Sequence, residues 1–146
     1  MVNSRQKGKI GEKLVLDFLN KHTPYKFELT PGSGSGKIKG DIHIPKFKNR
    51  FCIEVKNYAE SPISDKILTN KSNDFVNWWC KLLEQCLFGY EHEPLLFFRY
   101  NRSKLFVVTN KRPVNLKKSI DIPGLKCYIM LAEEWITHEK IDWLIL

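Results

Sequence analysis

The stretch that decides the fold runs from residue 40 to residue 56 and reads GDIHIPKFKNRFCIEVK. It predicts two short β-strands, over residues 40–44 and 50–56, joined by a polar connection. Because that connection is short, the two strands are expected to pair antiparallel. Side chains alternate between the faces of a strand, so the later strand has one apolar face and one face that carries charge. The apolar face holds Phe51, Ile53 and Val55, and the other holds Cys52, Glu54 and Lys56.

Three charged residues of this stretch are expected to converge. Glu54 and Lys56 lie two positions apart on one face, roughly 7 Å from each other. Asp41 opens the earlier strand, and antiparallel pairing can bring it near Glu54. Carboxylates are the ligands that Mg²⁺ prefers, and a lysine beside them can polarise a water molecule or stabilise charge on a phosphate. The stretch therefore favours a metal site that acts on a phosphate ester.

A helix predicted over residues 6–20, capped by Asn3 or Ser4, carries a fourth candidate, Glu12. At about 100° per residue, Glu12 falls inside the apolar arc of this helix. A carboxylate there must be paired, hydrogen-bonded or bound to a metal, because burying an isolated charge is costly. The alternative is that Glu12 lies on a frayed margin and reaches solvent.

Asp41 followed by Glu54-Val55-Lys56 resembles the signature of the PD-(D/E)xK nuclease superfamily, which is Asp, a gap, then Glu-x-Lys. Gly40 stands where the signature has proline, a common departure that leaves the chemistry untouched. The preceding helix with Gly11-Glu12 and the Gly/Ser loop over residues 32–36 resemble the Holliday-junction resolvase branch. The resemblance covers residues 6–57, a little over a third of the chain.

The resemblance implies an α/β fold with a restriction-endonuclease-like core, in which helices flank a mixed central β-sheet. It also implies an endonuclease that hydrolyses DNA with Mg²⁺, for which Mn²⁺ substitutes. The implied catalytic residues are Glu12, Asp41, Glu54 and Lys56. The implied metal ligands are Glu12, Asp41, Glu54 and the backbone carbonyl of Val55. The residues expected to contact DNA are Ser33, Ser35, Lys37 and Lys39 of the loop, with Lys7 and Lys9 of the helix.

Within this class, the favoured interpretation is a Holliday-junction resolvase that cuts branched DNA as a homodimer, because two symmetric cuts need two active sites. Lys56 is expected to stabilise charge rather than act as a base, since an ammonium beside carboxylates keeps its proton. Three alternatives stay open: another nuclease of restriction, repair or replication type; a non-catalytic nucleic-acid-binding module with a nuclease-like core; and a basic interaction protein whose carboxylates form ordinary ion pairs.

The composition is that of a basic, folded chain. Its 146 residues, 42% of them hydrophobic, favour one domain over residues 1–146. A formal charge of +8 and a pI near 9.3 favour nucleic acid as partner, because phosphate contacts release counterions. Residues 1–9 lack the apolar region of a secretion signal and no run reaches about 18 apolar residues, so we expect a cytoplasmic protein with no membrane partner. Four cysteines without close pairing indicate reduced thiols rather than a zinc site.

The remaining sequence predicts one strong helix and further strands. An apolar stripe after a cap at Asn73 or Asp74 indicates a core helix or, alternatively, a dimer surface. Residues 111–118 form a basic run, either a solvated surface or a second contact with the DNA backbone. The apolar residues 141–146 are expected to dock on the body or on a second subunit. Strands are predicted over residues 25–30, 94–100, 104–110 and 126–131, with a short helical turn over residues 132–137.

Overall fold

A computed structural model describes residues 3–31, 40–69, 73–89 and 92–145. The described residues form three α-helices and seven β-strands in the order α1 (Ser4–His22), β1 (Glu28–Leu29), β2 (Ile42–His43), β3 (Phe51–Tyr58), α2 (Asp74–Gly89), β4 (Glu93–Tyr100), β5 (Phe106–Thr109), β6 (Ile120–Ile122), β7 (Cys127–Leu131) and α3 (Ala132–His138). No helix in these described segments is both long and apolar enough to cross a membrane.

The strands form one mixed sheet in the order β1-β2-β3-β4-β5-β7-β6. The pair β3–β4 is parallel, and every other pair is antiparallel. Parallel neighbours need a crossover, and α2 supplies it between β3 and β4. The predicted antiparallel pairing of the strands around residues 40–44 and 50–56 is confirmed.

Apolar side chains cover both faces of the sheet. The face towards α1 buries Val15 and Leu19 with Ile53 of β3. The opposite face buries Phe75 and Trp79 of α2 with other residues of β3 and β4. The apolar stripe of α2 is therefore core, as the first of the two interpretations predicts. The expected α/β architecture, a mixed central sheet flanked by helices, is confirmed.

The end of the chain docks on its own body. Trp143 is only 7% exposed and makes edge contacts with Phe27, Phe51 and Trp135, at ring-centroid distances of 5.3, 5.4 and 5.9 Å. Its carbonyl accepts a hydrogen bond of 2.9 Å from the amide of Arg50. These contacts explain how so apolar a segment stays out of water.

Some elements differ from the prediction for local reasons. Asn3 caps α1 with Gln6 in a reciprocal capping box, so the helix begins two residues early. The strand predicted over residues 25–30 shrinks to Glu28–Leu29. The side chain of Asn20 instead binds both the amide and the carbonyl of Phe27 and takes the place of a strand partner there. Strand β6 is absent from the prediction, since its three residues, Ile120–Ile122, are too short a run to give a strand signal.

Candidate nuclease site

Strand pairing brings Asp41 against β3. Ile42 pairs with Ile53, and the Asp41 amide donates a 2.7 Å hydrogen bond to the Ile53 carbonyl. Gly40 has a φ of +89°, and a Cβ there would lie 2.6 Å from that same carbonyl oxygen. A side chain at position 40 would therefore clash, so glycine permits the close approach that carries Asp41 to β3.

The Asp41 carboxylate is held by the backbone of β3. Its Oδ2 accepts a 2.8 Å hydrogen bond from the amide of Val55, the residue between Glu54 and Lys56. Burial raises the pKa of Asp41, although the Val55 hydrogen bond and the charge of Lys56 oppose the rise. The two strands thus deliver the carboxylate to the position that the spacing predicts.

Glu54 and Lys56 form an ion pair on one face of β3. Lys56 Nζ lies 3.7 Å from Glu54 Oε1, with 28% and 20% of the two side chains exposed. Burial, and then the negative charge of Asp41, raises the pKa of Glu54 to about 7, against the opposing effect of Lys56. At Glu54, burial and repulsion from Asp41 therefore outweigh the attraction of the Lys56 ammonium.

Helix α1 adds Glu12 to the same electrostatic cluster. Burial, and next the charge of Asp41, raises the pKa of Glu12, while Lys9 lowers it. The charge of Glu12 also contributes to the raised pKa of Glu54. Glu12 is half-buried in the middle of a continuous helix rather than on a frayed end. Its neighbour Gly11 is buried against Asn57, which brings this turn of α1 onto β3.

The donor set suits a hard divalent cation. Carboxylates whose pKa values are raised by burial and mutual repulsion gain from a positive ion, and oxygen ligands are those that Mg²⁺ prefers. Across the described ranges, no three acidic, histidine or cysteine side chains already stand close enough to chelate an ion. Holding a metal would therefore draw the carboxylates together, with the Val55 carbonyl as a further oxygen donor.

The residues predicted to contact DNA are the two lysines of α1, which the structure describes, and four residues of the Gly/Ser loop, which it does not. Lys7 is half-buried and its Nζ donates a 2.7 Å hydrogen bond to Asn101 Oδ1, whereas Lys9 is exposed. Lys7 and Lys56 both line a surface cleft of about 360 Å³ between α1 and the end of β3. The loop residues Ser33, Ser35, Lys37 and Lys39 lie outside the described residues.

Two residues that contact the site residues, Asn57 and Trp78, were not predicted from the sequence. Asn57 Nδ2 donates a 2.9 Å hydrogen bond to the Lys7 carbonyl and so ties β3 to α1. Lys56 Nζ lies 6.0 Å from the centroid of the Trp78 ring of α2. Asn57 could have been noticed because it follows Glu-x-Lys directly, but the approach of Trp78 depends on how α2 crosses the sheet.

In the absence of divalent metal, Glu54 is expected to make the protein less stable as the pH rises from 4.5 to about 7. The folded state holds the proton up to a pKa of about 7, whereas the unfolded glutamate ionises near 4.5. Unfolding therefore releases a proton between these values, and the free energy of unfolding falls as pH rises, by on the order of 3 kcal/mol at most. Below this window both states are protonated, and above it both are ionised.

Urea unfolding in EDTA at several pH values measures this effect. The Glu54→Gln variant lacks the titrating group, so its stability relative to the wild type is expected to increase steadily from pH 4.5 to 7. Parallel profiles for the two proteins would show that folding does not raise the proton affinity of Glu54.

Comparison with known proteins identifies the family of this chain. The profile of the family described as "Phage putative PDDEXK endonuclease" matches residues 3–143. Protein D14 of Escherichia phage T5 is 31% identical over an alignment 161 positions long, which covers 99% of this chain and 98% of that protein. The solved structure of Hjc from Archaeoglobus fulgidus, a Holliday junction resolvase, superposes with a TM-score of 0.47 at 17% identity, covering 91% of this chain and 95% of Hjc. Because the family profile and the phage relative both span almost the whole chain, the predicted superfamily is confirmed, and this protein belongs to the phage PDDEXK endonuclease family.

Proposed function

We propose that this chain is a divalent-metal-dependent endonuclease that hydrolyses phosphodiester bonds in DNA, with residues 1–146 as one nuclease domain. The observation that carries the proposal is the Asp41 carboxylate, held by the Val55 amide beside the Glu54–Lys56 ion pair. Glu12 joins this cluster electrostatically from α1. A protein that only bound DNA would gain nothing from half-buried carboxylates facing a phosphate, because like charges repel.

Glu12, Asp41, Glu54 and the Val55 carbonyl would hold Mg²⁺, or Mn²⁺ in its place. When bound, the ion lowers the pKa of a coordinated water and neutralises charge on the phosphate. The Lys56 ammonium, oriented by Glu54, would stabilise the negative charge that develops on the phosphorus oxygens. The cations at Lys7 and Lys9, and the loop residues Ser33, Ser35, Lys37 and Lys39, would hold the DNA backbone.

Within this activity we favour resolution of Holliday junctions by a homodimer. The support is the order of the site along the chain, with a helix glutamate and then a Gly/Ser segment ahead of Asp41. A C₂ dimer would present two such sites to the two strands that must be cut. Other branched or linear DNA would engage the same four catalytic residues, so the substrate must be identified by experiment.

Cleavage of a labelled four-way junction, beside linear duplex, flap and single-stranded DNA, tests the proposal. Each substrate is incubated with Mg²⁺ and with EDTA. We expect paired symmetric nicks in the junction that disappear in EDTA. Metal-dependent cutting of other substrates alone would retain the nuclease and reject junction resolution. Tight binding without cleavage under Mg²⁺ or Mn²⁺ would leave a non-catalytic binding module and overturn the catalytic assignments.

A further inference from the structure

An exposed tyrosine continues the line of site residues on β3. Glu54, Lys56 and Tyr58 occupy alternate positions of the strand and therefore share one face, with Tyr58 roughly 7 Å beyond Lys56. Tyr58 is the last residue of the strand and is 42% exposed. A large aromatic side chain that stays open to solvent beside charged site residues is a candidate for contact with the substrate.

The ring of Tyr58 is held in place from behind. It stacks on Trp78 of α2, with ring centroids 4.9 Å apart and an interplanar angle of 30°. Trp78 in turn contacts Phe98, which stacks on Phe106 at 4.9 Å. The exposed ring is therefore the outermost of a series of contacting aromatic rings that begins in the core. Because these contacts already fix the Tyr58 side chain, a ligand that binds it would cost the side chain little conformational entropy.

A polar cleft of about 650 Å³ opens at this aromatic pair. Among the described residues, its lining includes three acidic residues, Glu60, Asp65 and Asp74, and one basic residue, Lys66. An excess of negative charge disfavours a phosphate group in the cleft. A neutral, flat group that carries N–H donors fits better, because it can stack on the ring and donate to the carboxylates.

We propose that Tyr58, backed by Trp78, stacks on an unpaired nucleobase of the DNA substrate, adjacent to the phosphate held at Lys56. This inference rests on the proposed function and specifies its substrate: a base inside an intact duplex is already stacked and paired, so only a single-stranded or branch-point base reaches the ring at low cost. Tyr58 would thus select for unpaired DNA beside the cleavage point.

Binding of a DNA single strand that contains one 2-aminopurine tests the inference in EDTA, where metal-dependent cleavage cannot occur. Stacking on the wild-type ring is expected to quench the 2-aminopurine emission, and Tyr58→Phe should behave alike. Tyr58→Ala should lose the quenching and bind roughly tenfold more weakly, the scale of one base–aromatic stack. Phe47→Ala is the matched control, because Phe47 is also an exposed aromatic residue, 57% accessible, on the turn before β3.

Replacing the base with an abasic residue supplies a test that leaves the protein intact. If the ring stacks on the base, removing the base should weaken binding by the wild type about as much as Tyr58→Ala weakens binding of normal DNA. Tyr58→Ala should then bind abasic DNA no more weakly than it binds normal DNA, because both changes remove the same contact. Additive losses would overturn the inference and give Tyr58 a merely structural role. Equal binding of paired and unpaired strands by the wild type would overturn it as well. Since none of these readouts involves cleavage, the inference can fail while the nuclease stands, or the reverse.

Discussion

Replacing Glu54 with glutamine is expected to lower Mg²⁺-dependent DNA cleavage by roughly a thousandfold or more, because the ion supplies several kcal/mol of transition-state stabilisation. Glutamine keeps the size of the side chain but removes the charge that would bind the metal and orient Lys56 Nζ, 3.7 Å away. The measurement is the initial rate of cleavage of the best substrate, at saturating DNA and at several Mg²⁺ concentrations. If metal binding is the cause, a higher Mg²⁺ concentration recovers part of the rate.

The control for charge alone is Glu133→Gln, an exposed glutamate in the first turn of α3. It removes the same carboxylate charge outside the site, so its cleavage rate should match that of the wild type. Isothermal titration with Mn²⁺ separates binding from catalysis, since only Glu54→Gln is expected to lose heat of binding. Full activity in Glu54→Gln would remove this residue from the metal site and with it the proposed mechanism.

The arrangement of the candidate site residues was predictable from sequence because most of it depends on local periodicity. Alternation along one strand puts Glu54 and Lys56 on one face, and a short connection fixes Asp41 opposite them. The 3.6-residue period of α1 likewise shows that Glu12 faces inwards. What periodicity cannot give is the electrostatic contact between Glu12 and Asp41, because it depends on how α1 packs on β3.

The surroundings of the site were not predictable for the same reason. Tyr58 and Trp78 are 20 residues apart, and their stacking depends on the path of α2 across the sheet. The sheet order has the same origin: nothing in β3 or β4 alone requires that they be parallel neighbours, which results from the crossover through α2. Short strands such as β6 form because β7 offers an edge, so tertiary pairing rather than local preference creates them.

Two glycines three residues apart on α1 are expected to respond oppositely to alanine. A Cβ at Gly11 would lie 2.6 Å from the Cβ of Asn57, whereas a Cβ at Gly8 would have no described atom within 4 Å apart from its chain neighbours and the nearby backbone of α1. Gly8→Ala should therefore raise the free energy of unfolding by about 0.5–1 kcal/mol, since alanine is the better helix former. Gly11→Ala gains the same propensity but must force α1 from β3, so we expect a net loss of roughly 1–3 kcal/mol. Urea unfolding of both variants in EDTA measures the difference.

Gly11→Ala should also weaken metal binding. This effect distinguishes a displacement of Glu12 from a packing defect that affects stability alone. Moving α1 away from β3 displaces Glu12, the next residue, and strains the 2.9 Å hydrogen bond from Asn57 to the Lys7 carbonyl. Mn²⁺ affinity, measured by calorimetry without DNA, is therefore expected to fall in Gly11→Ala and to stay unchanged in Gly8→Ala. If Gly11→Ala destabilises the fold yet binds Mn²⁺ as the wild type does, Glu12 is not a ligand, and the site relies on Asp41 and Glu54. If both variants gain stability, Asn57 rotates aside at no cost, and the close packing of α1 on β3 does not fix the position of Glu12.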